Sequence, residues 1–128
     1  LRTESLGAAR AAMKASAAVA KTFGVALIAY EGGQHLTGVG PVVDDVAINK
    51  LFDAANRDPR MRDVYASYFS AWKESGGQAF VNFVNVARPS KWGRWGMLES
   101  QFQQRKSAPK FDAVQTFIEQ NPIWWQQP

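Results

Sequence analysis

Glu31 closes an apolar run, Val25-Ala26-Leu27-Ile28-Ala29-Tyr30, and is followed at once by Gly32-Gly33-Gln34-His35. The run has strand length, and its one charge is a carboxylate at the C-terminal end. The two glycines behind it let the backbone turn sharply away. In parallel β/α sheets, ligands bind and reactions occur at the carboxyl ends of strands. A carboxylate in that place can attack a substrate or bind one. Polar partners lie close in the chain or in a second apolar run: Gln34 and His35 beyond the turn, then Asn82 and Asn85 within Gln78–Val86. The two amides differ by an odd number of residues, so a strand points them to opposite faces. Trp92 and Trp95 follow in a loop rich in glycine and basic residues. The chain has no cysteine, which excludes a thiol nucleophile, a disulfide framework and Cys-type zinc sites. His35 is the single histidine, so no His-rich metal site forms within one chain, and no metal or cofactor is expected.

The elements that must position these groups follow from periodicity and punctuation. Thr3 or Ser5 can cap a helix running through the alanine-rich opening to about Phe23, with Gly24 closing it. Val25–Tyr30 reads as a strand, unbroken by charge and therefore expected to be covered on both faces. Gly32–Pro41 is a glycine-rich turn without the lysine and serine spacing of a phosphate-binding loop. A short helix is expected over Asp44–Ala55. Another starts at Asp58-Pro59, with Asp58 as cap and Pro59 in the first turn. Its Met61, Val64, Tyr65, Tyr68 and Trp72 recur on one face, and Gly76-Gly77 stops it. Gln78–Val86 is the second strand, Ala87–Ser100 a loop, and about Phe111–Asn121 the last helix, ended by Pro122. Trp124-Trp125 is expected to pack over the outer layer or at an interface.

Alternating helices and strands imply parallel pairing through crossovers, and thus an α/β unit spanning residues 1–128. Two strands alone leave both outer edges unpaired and much of each face bare. Either the chain self-associates or it belongs to a larger sheet. With 128 residues, 46% hydrophobic and 20% charged, it has the length and composition of one folded domain. A net charge of +4 hints at a polyanion, but Arg57, Arg60 and Arg62 interleave with Asp58 and Asp63, so no basic stripe forms and no nucleic-acid partner is expected. No apolar segment approaches the ~20 residues of a membrane span. Lys14 and Lys21 inside the opening segment argue against a signal sequence. The start at Leu1 reads as a processed product or a piece of a longer chain.

Four passages together resemble the last quarter of a (β/α)8 barrel from the clan of retaining glycoside hydrolases, in particular its bacterial cellulase-like members. They are AYEGGQHL (29–36), AANRDPRM (54–61), FVNFVNV (80–86) and SKWGRWGMLES (90–100). The resemblance implies a partial barrel running from the sixth helix to the eighth, with Glu31 as the nucleophile at the end of the seventh strand. It also implies a sugar-stacking indole after the eighth strand, either Trp92 or Trp95. The substrate it implies is a β-linked oligo- or polysaccharide, and export is common among such enzymes. Retaining hydrolysis needs a second carboxylic acid about 5–5.5 Å from the nucleophile to protonate the leaving oxygen. In the family that acid ends the fourth strand, to which nothing here corresponds. The chain alone is therefore expected to be inactive, since the missing proton donor is worth ~10²–10⁴ in rate. Gln34, His35, Asn82 and Asn85 could hydrogen-bond sugar hydroxyls.

Other readings stand beside this one. Glu31 could pair structurally with Arg88 or Lys91, the two tryptophans could pack their own loop, and His35 could be an ordinary loop histidine. The whole could be a non-catalytic carbohydrate-binding unit, or a module whose strand edges build a homo-oligomer.

Overall fold

The computed structural model describes residues 3–125 and is mixed α/β, mostly helical, with two parallel strands. Helix α1 (Glu4–Thr22) uses the alanine-rich opening, and the chain leaves it through Gly24 at φ 62°, a left-handed position that favours glycine. Strand β1 (Ala29–Gly32) follows. The crossover to the second strand carries a 3-10 turn at Gly40–Asp44, then α2 (Val46–Arg57) and α3 (Met61–Glu74). Asp45 caps α2 by accepting from the Ile48 amide at 2.9 Å. Strand β2 (Phe80–Asn82) lies parallel to β1, with Ala29 opposite Phe80 and Gly32 opposite Asn82. A long loop, a 3-10 turn at Arg105–Ser107 and α4 (Pro109–Gln120) complete the order.

The core is built on one face of α3. Met61, Tyr65 and Phe69, spaced one turn apart, pack with Met97 and with Ala113 of α4. A second cluster joins Ala71 and Trp72 to Met13, the one buried residue of α1. Both clusters reach the strand pair through Phe80, and the second also through Leu27 and Ala29. Gly32 is required here, because the ring of Phe80 packs where its Cβ would stand. Trp124 anchors the C-terminal segment, donating from Nε1 to the Gly77 carbonyl at 3.0 Å and meeting Phe117 edge-on.

Three expectations need correction. The first strand is not Val25–Tyr30: pairing begins where Gln78 N–H donates to the Leu27 carbonyl at 2.8 Å, and the ladder extends to Gly32, so Glu31 lies inside it. Nor is that run covered on both faces. Val25, Ile28 and Tyr30 are 60%, 61% and 86% exposed, and Val81 of β2 is 58% exposed. Helices α1, α3 and α4 pack on the side of Ala29 and Phe80, and the opposite side of the pair is bare. The second strand is also shorter than Gln78–Val86. Beyond Asn82 the chain pairs instead with its own following loop, Met97 N–H donating to the Val84 carbonyl at 2.8 Å and Leu98 N–H to that of Asn85 at 2.9 Å. No helix among the described residues is long and apolar enough to cross a membrane.

One-sided burial makes a contrast that urea unfolding can read. Phe69→Ala is expected to cost about 3–5 kcal/mol, as for a packed core aromatic. Val81→Ala is expected to stay within about 0.5 kcal/mol, as for a surface change. A comparable loss from both would show that the open face is covered in solution.

Candidate functional site

Glu31 is the next-to-last residue of β1, exposed, and has no hydrogen-bond or ion-pair partner among the described residues. The structural pairing considered above is not formed: Lys91 reaches Asp44 at 2.6 Å instead, and Arg88 does not meet Glu31. Glu99, the glutamate nearest the tryptophan loop in sequence, is held at 2.8 and 2.9 Å by both arms of the Arg57 guanidinium. Glu31 is thus a carboxylate at the carboxyl rim with its oxygens left to solvent.

The loops that leave the two strands at this rim are clamped together. After Gly33, at φ 138°, Gln34 turns inward. Its backbone N–H donates to the Tyr65 hydroxyl at 3.0 Å, and its Oε1 accepts from Leu36 N–H at 2.6 Å. Its Nε2 donates to the buried Asn56 at 3.2 Å and to the backbone carbonyl of Arg94. That same carbonyl accepts from Lys110 Nζ of α4 at 2.6 Å. The Arg94 side chain, 1% exposed, runs back under the first loop. Its guanidinium pairs with Asp53 at 2.7 Å and donates to the Leu36 carbonyl at 3.1 Å. It also takes both the carbonyl and the side-chain oxygen of Asn49, at 3.0 and 2.8 Å. A buried guanidinium is tolerable only when paired and hydrogen-bonded in this way.

The clamp sets out the aromatic groups. His35 Nε2 lies 3.0 Å from the Trp92 carbonyl, and Thr37 Oγ1 donates to that of Lys91 at 2.7 Å. The His35 ring leans on Trp95, centroids 5.2 Å apart, and Trp95 meets Phe83 edge-on at 5.8 Å. Trp95 is therefore fixed at the end of β2. Trp92 stands out, 60% exposed, with the Lys91 ammonium 4.7 Å over its ring.

The residues singled out in the sequence thus divide. Glu31, His35, Trp92 and Trp95 occupy the loops and strand ends of one rim, although no hydrogen bond or ring contact joins Glu31 to the indoles among the described residues. Gln34 is not available to a ligand, because its amide is spent inside the clamp. Asn85 is exposed, whereas the Asn82 amide is buried, with neither Nδ2 nor Oδ1 partnered among the described residues. The opposite-face expectation assumed one strand through both amides and does not apply, because β2 ends at Asn82; Asn85 lies beyond it, and Asn82 Oδ1 sits beside Gly33 at the strand end. A cavity of about 340 Å³ lies behind the first loop, lined by Gly33, Gln34, His35, Leu36, Tyr65 and Tyr68; neither Glu31 nor an indole of the second loop lines it.

Arg94, Lys110 and Asn56 carry the clamp and were not singled out in the sequence. Their one local signal is chemical: a cation on an otherwise apolar helix start, Pro109-Lys110-Phe111, and an amide in Ala54-Ala55-Asn56. Among the described residues, no group of three or more His, Cys, Asp or Glu side chains could hold a metal ion. Comparison with family models, with curated proteins and with solved structures gave no match to this chain.

Burial pushes the Lys110 ammonium down to about 8, against the opposing pull of Glu99. Its unfolded value is near 10.5, so between pH 8 and about 10 the unfolded chain binds more protons than the folded one. Stability therefore rises with pH across that window. Burial raises the Tyr65 and Tyr68 hydroxyls, whose opposite effect begins only near pH 10. The urea midpoint is expected to increase from pH 7.5 to 9.5 in the natural chain and to stay level in Lys110→Met. An equal increase in both would place the titrating group elsewhere.

Proposed function

We propose that this chain is the closing part of a (β/α)8 barrel, two of its strands with their helices, and that the rim described above is part of a saccharide-binding cleft. In this reading Glu31 is the nucleophile of a retaining glycoside hydrolase acting on a β-linked oligo- or polysaccharide. Trp95 is the indole on which a sugar ring stacks, and exposed Trp92 is a further, outer contact. The observation that carries the reading is the exposed Glu31 carboxylate, without a partner among the described residues, on the rim where the Trp95 loop is clamped.

The chemistry agrees with those residue types. A carboxylate attacks the anomeric carbon and leaves as the glycosyl ester is hydrolysed, so its oxygens must be open to the substrate. An indole offers a flat apolar surface to the C–H face of a pyranose. Fixing Trp95 between His35 and Phe83 spares the ordering cost of a mobile side chain on binding. The bare side of the strand pair, with Tyr30 and Val81 exposed, supports the remainder of the barrel as its cover. The proton donor for the leaving group would come from those other strands, and the isolated chain is expected not to turn over.

In a polypeptide carrying the remaining strands, Glu31→Ala should lower kcat on an activated aryl β-glycoside by ~10² or more. Sodium azide should restore turnover, because a small anion can fill the space and attack in place of the carboxylate. The product would be a glycosyl azide of inverted configuration. Loss of activity without azide rescue, or no loss at all, would remove Glu31 from the nucleophile's role.

A further inference from the structure

Strand β1 does not alternate regularly. Ala29 packs into the cluster on the helix side, and a Cβ on Gly32 would meet the Phe80 ring on that same side. Residues three apart in a regular strand point to opposite sides, so one residue too many lies between these two. The pairing shows the same excess. Ala29 stands opposite Phe80 and Gly32 opposite Asn82, which leaves Tyr30 and Glu31 together across from Val81 alone. This is a β-bulge, a device that re-aims side chains and is over-represented beside active sites. Its effect here is that Tyr30 and Glu31, neighbours in sequence, are both exposed on the open side. In an unbulged strand only one of them could face that way. Tyr30 is 86% exposed, and no hydrogen bond or ring contact engages it among the described residues. Ile28, one step deeper on the same side, is 61% exposed. Polarity thus rises toward the carboxyl end, from an aliphatic chain to a phenol to a carboxylate.

We propose that Tyr30 is a specificity-determining residue, its phenol hydrogen-bonded to a hydroxyl of the same sugar ring that Glu31 attacks. The inference rests on the barrel reading above, under which the open side of the strand pair is the barrel interior. Inward side chains fill such an interior in layers, and the site lies at the carboxyl ends, above the uppermost layer. Ile28 belongs to the filled part. Tyr30, one residue before the nucleophile and on its side, belongs to the floor of the cleft. Once further strands cover that side, a phenol left without a partner would be costly. A sugar hydroxyl offers a donor and an acceptor, either of which answers the phenol. A site that hydrogen-bonds a substrate hydroxyl in this way rejects the analogue that lacks it.

The test uses the polypeptide carrying the remaining strands and dinitrophenyl β-cellobioside, either intact or lacking one free hydroxyl of the ring beside the leaving group. The natural polypeptide is expected to disfavour the deoxy form that lacks the Tyr30 partner by ~10-fold or more in kcat/KM. Tyr30→Phe should lower kcat/KM on the intact glycoside by ~10-fold or more and abolish that one preference, leaving those at the other positions. A merely structural role for Tyr30 would not remove a preference at a single position. Nitration by tetranitromethane gives a reading that needs no variant: Tyr30 should be modified in the free protein and protected by saturating cellobiose. Unchanged preferences in Tyr30→Phe, or nitration unaffected by cellobiose, would overturn the proposal. If Glu31→Ala with azide behaves as expected above, that failure leaves the nucleophile in place. If Glu31→Ala leaves turnover unchanged, the glycosidase reading falls and this inference falls with it.

Discussion

The rim depends on one backbone carbonyl, that of Arg94. It accepts from Gln34, at the exit of β1, and from Lys110, on α4, while the side chain of the same residue grips Leu36, Asn49 and Asp53. Three segments far apart in the chain are thereby fixed to the loop that holds Trp92 and Trp95. The contacts are buried or part-buried, where a hydrogen bond is electrostatically stronger than in water and an unmade one is costly. The consequence is geometric. The turn that carries His35 cannot shift without breaking buried polar pairs, so the direction in which the chain leaves Glu31 and the seat of Trp95 are set together.

A second constraint is the one-sided layering. Helices α1, α3 and α4 bury Ala29 and Phe80, and the other side of the pair shows Tyr30 and Val81 to solvent. A parallel ladder of two short strands is weak by itself, and here its order comes from the aromatic cluster beneath it. The same layering separates two environments along β2. Val81 faces the open side, whereas Phe80 and Asn82 turn toward the helices; Asn85 lies past the end of the strand, where the chain pairs with its own following loop.

Much of this architecture was legible in the sequence wherever the signal was local. The left-handed exit at Gly24, the Asp45 region opening α2, and the recurrence of Met61, Tyr65 and Trp72 on one face of α3 each act within a few residues. The exact ladder was not legible. Val25–Tyr30 has strand composition throughout, but pairing starts only where β2 can reach it, and a strand's extent belongs to its partner as much as to itself. The clamp was least visible. Arg94 sits between Gly93 and Trp95 in what reads as a basic loop, and nothing in its neighbours signals partners 41 to 60 positions away. Gln34 illustrates the same limit: beside His35 it looked like a group for ligand, yet its amide is consumed in positioning the loop.

The central functional claim is that the Glu31 carboxylate attacks a sugar at this rim. An activated 2-deoxy-2-fluoro-β-glycoside, whose dinitrophenolate departs without a proton donor, tests it most directly in the polypeptide with its remaining strands. The fluorine slows release of the glycosyl ester, so the attacking residue stays labelled and peptide mass mapping can find it. The result expected is a single fluoroglycosyl adduct on the peptide containing Glu31, absent from Glu31→Gln. An adduct on another carboxylate, with Glu31 unmodified, would contradict it.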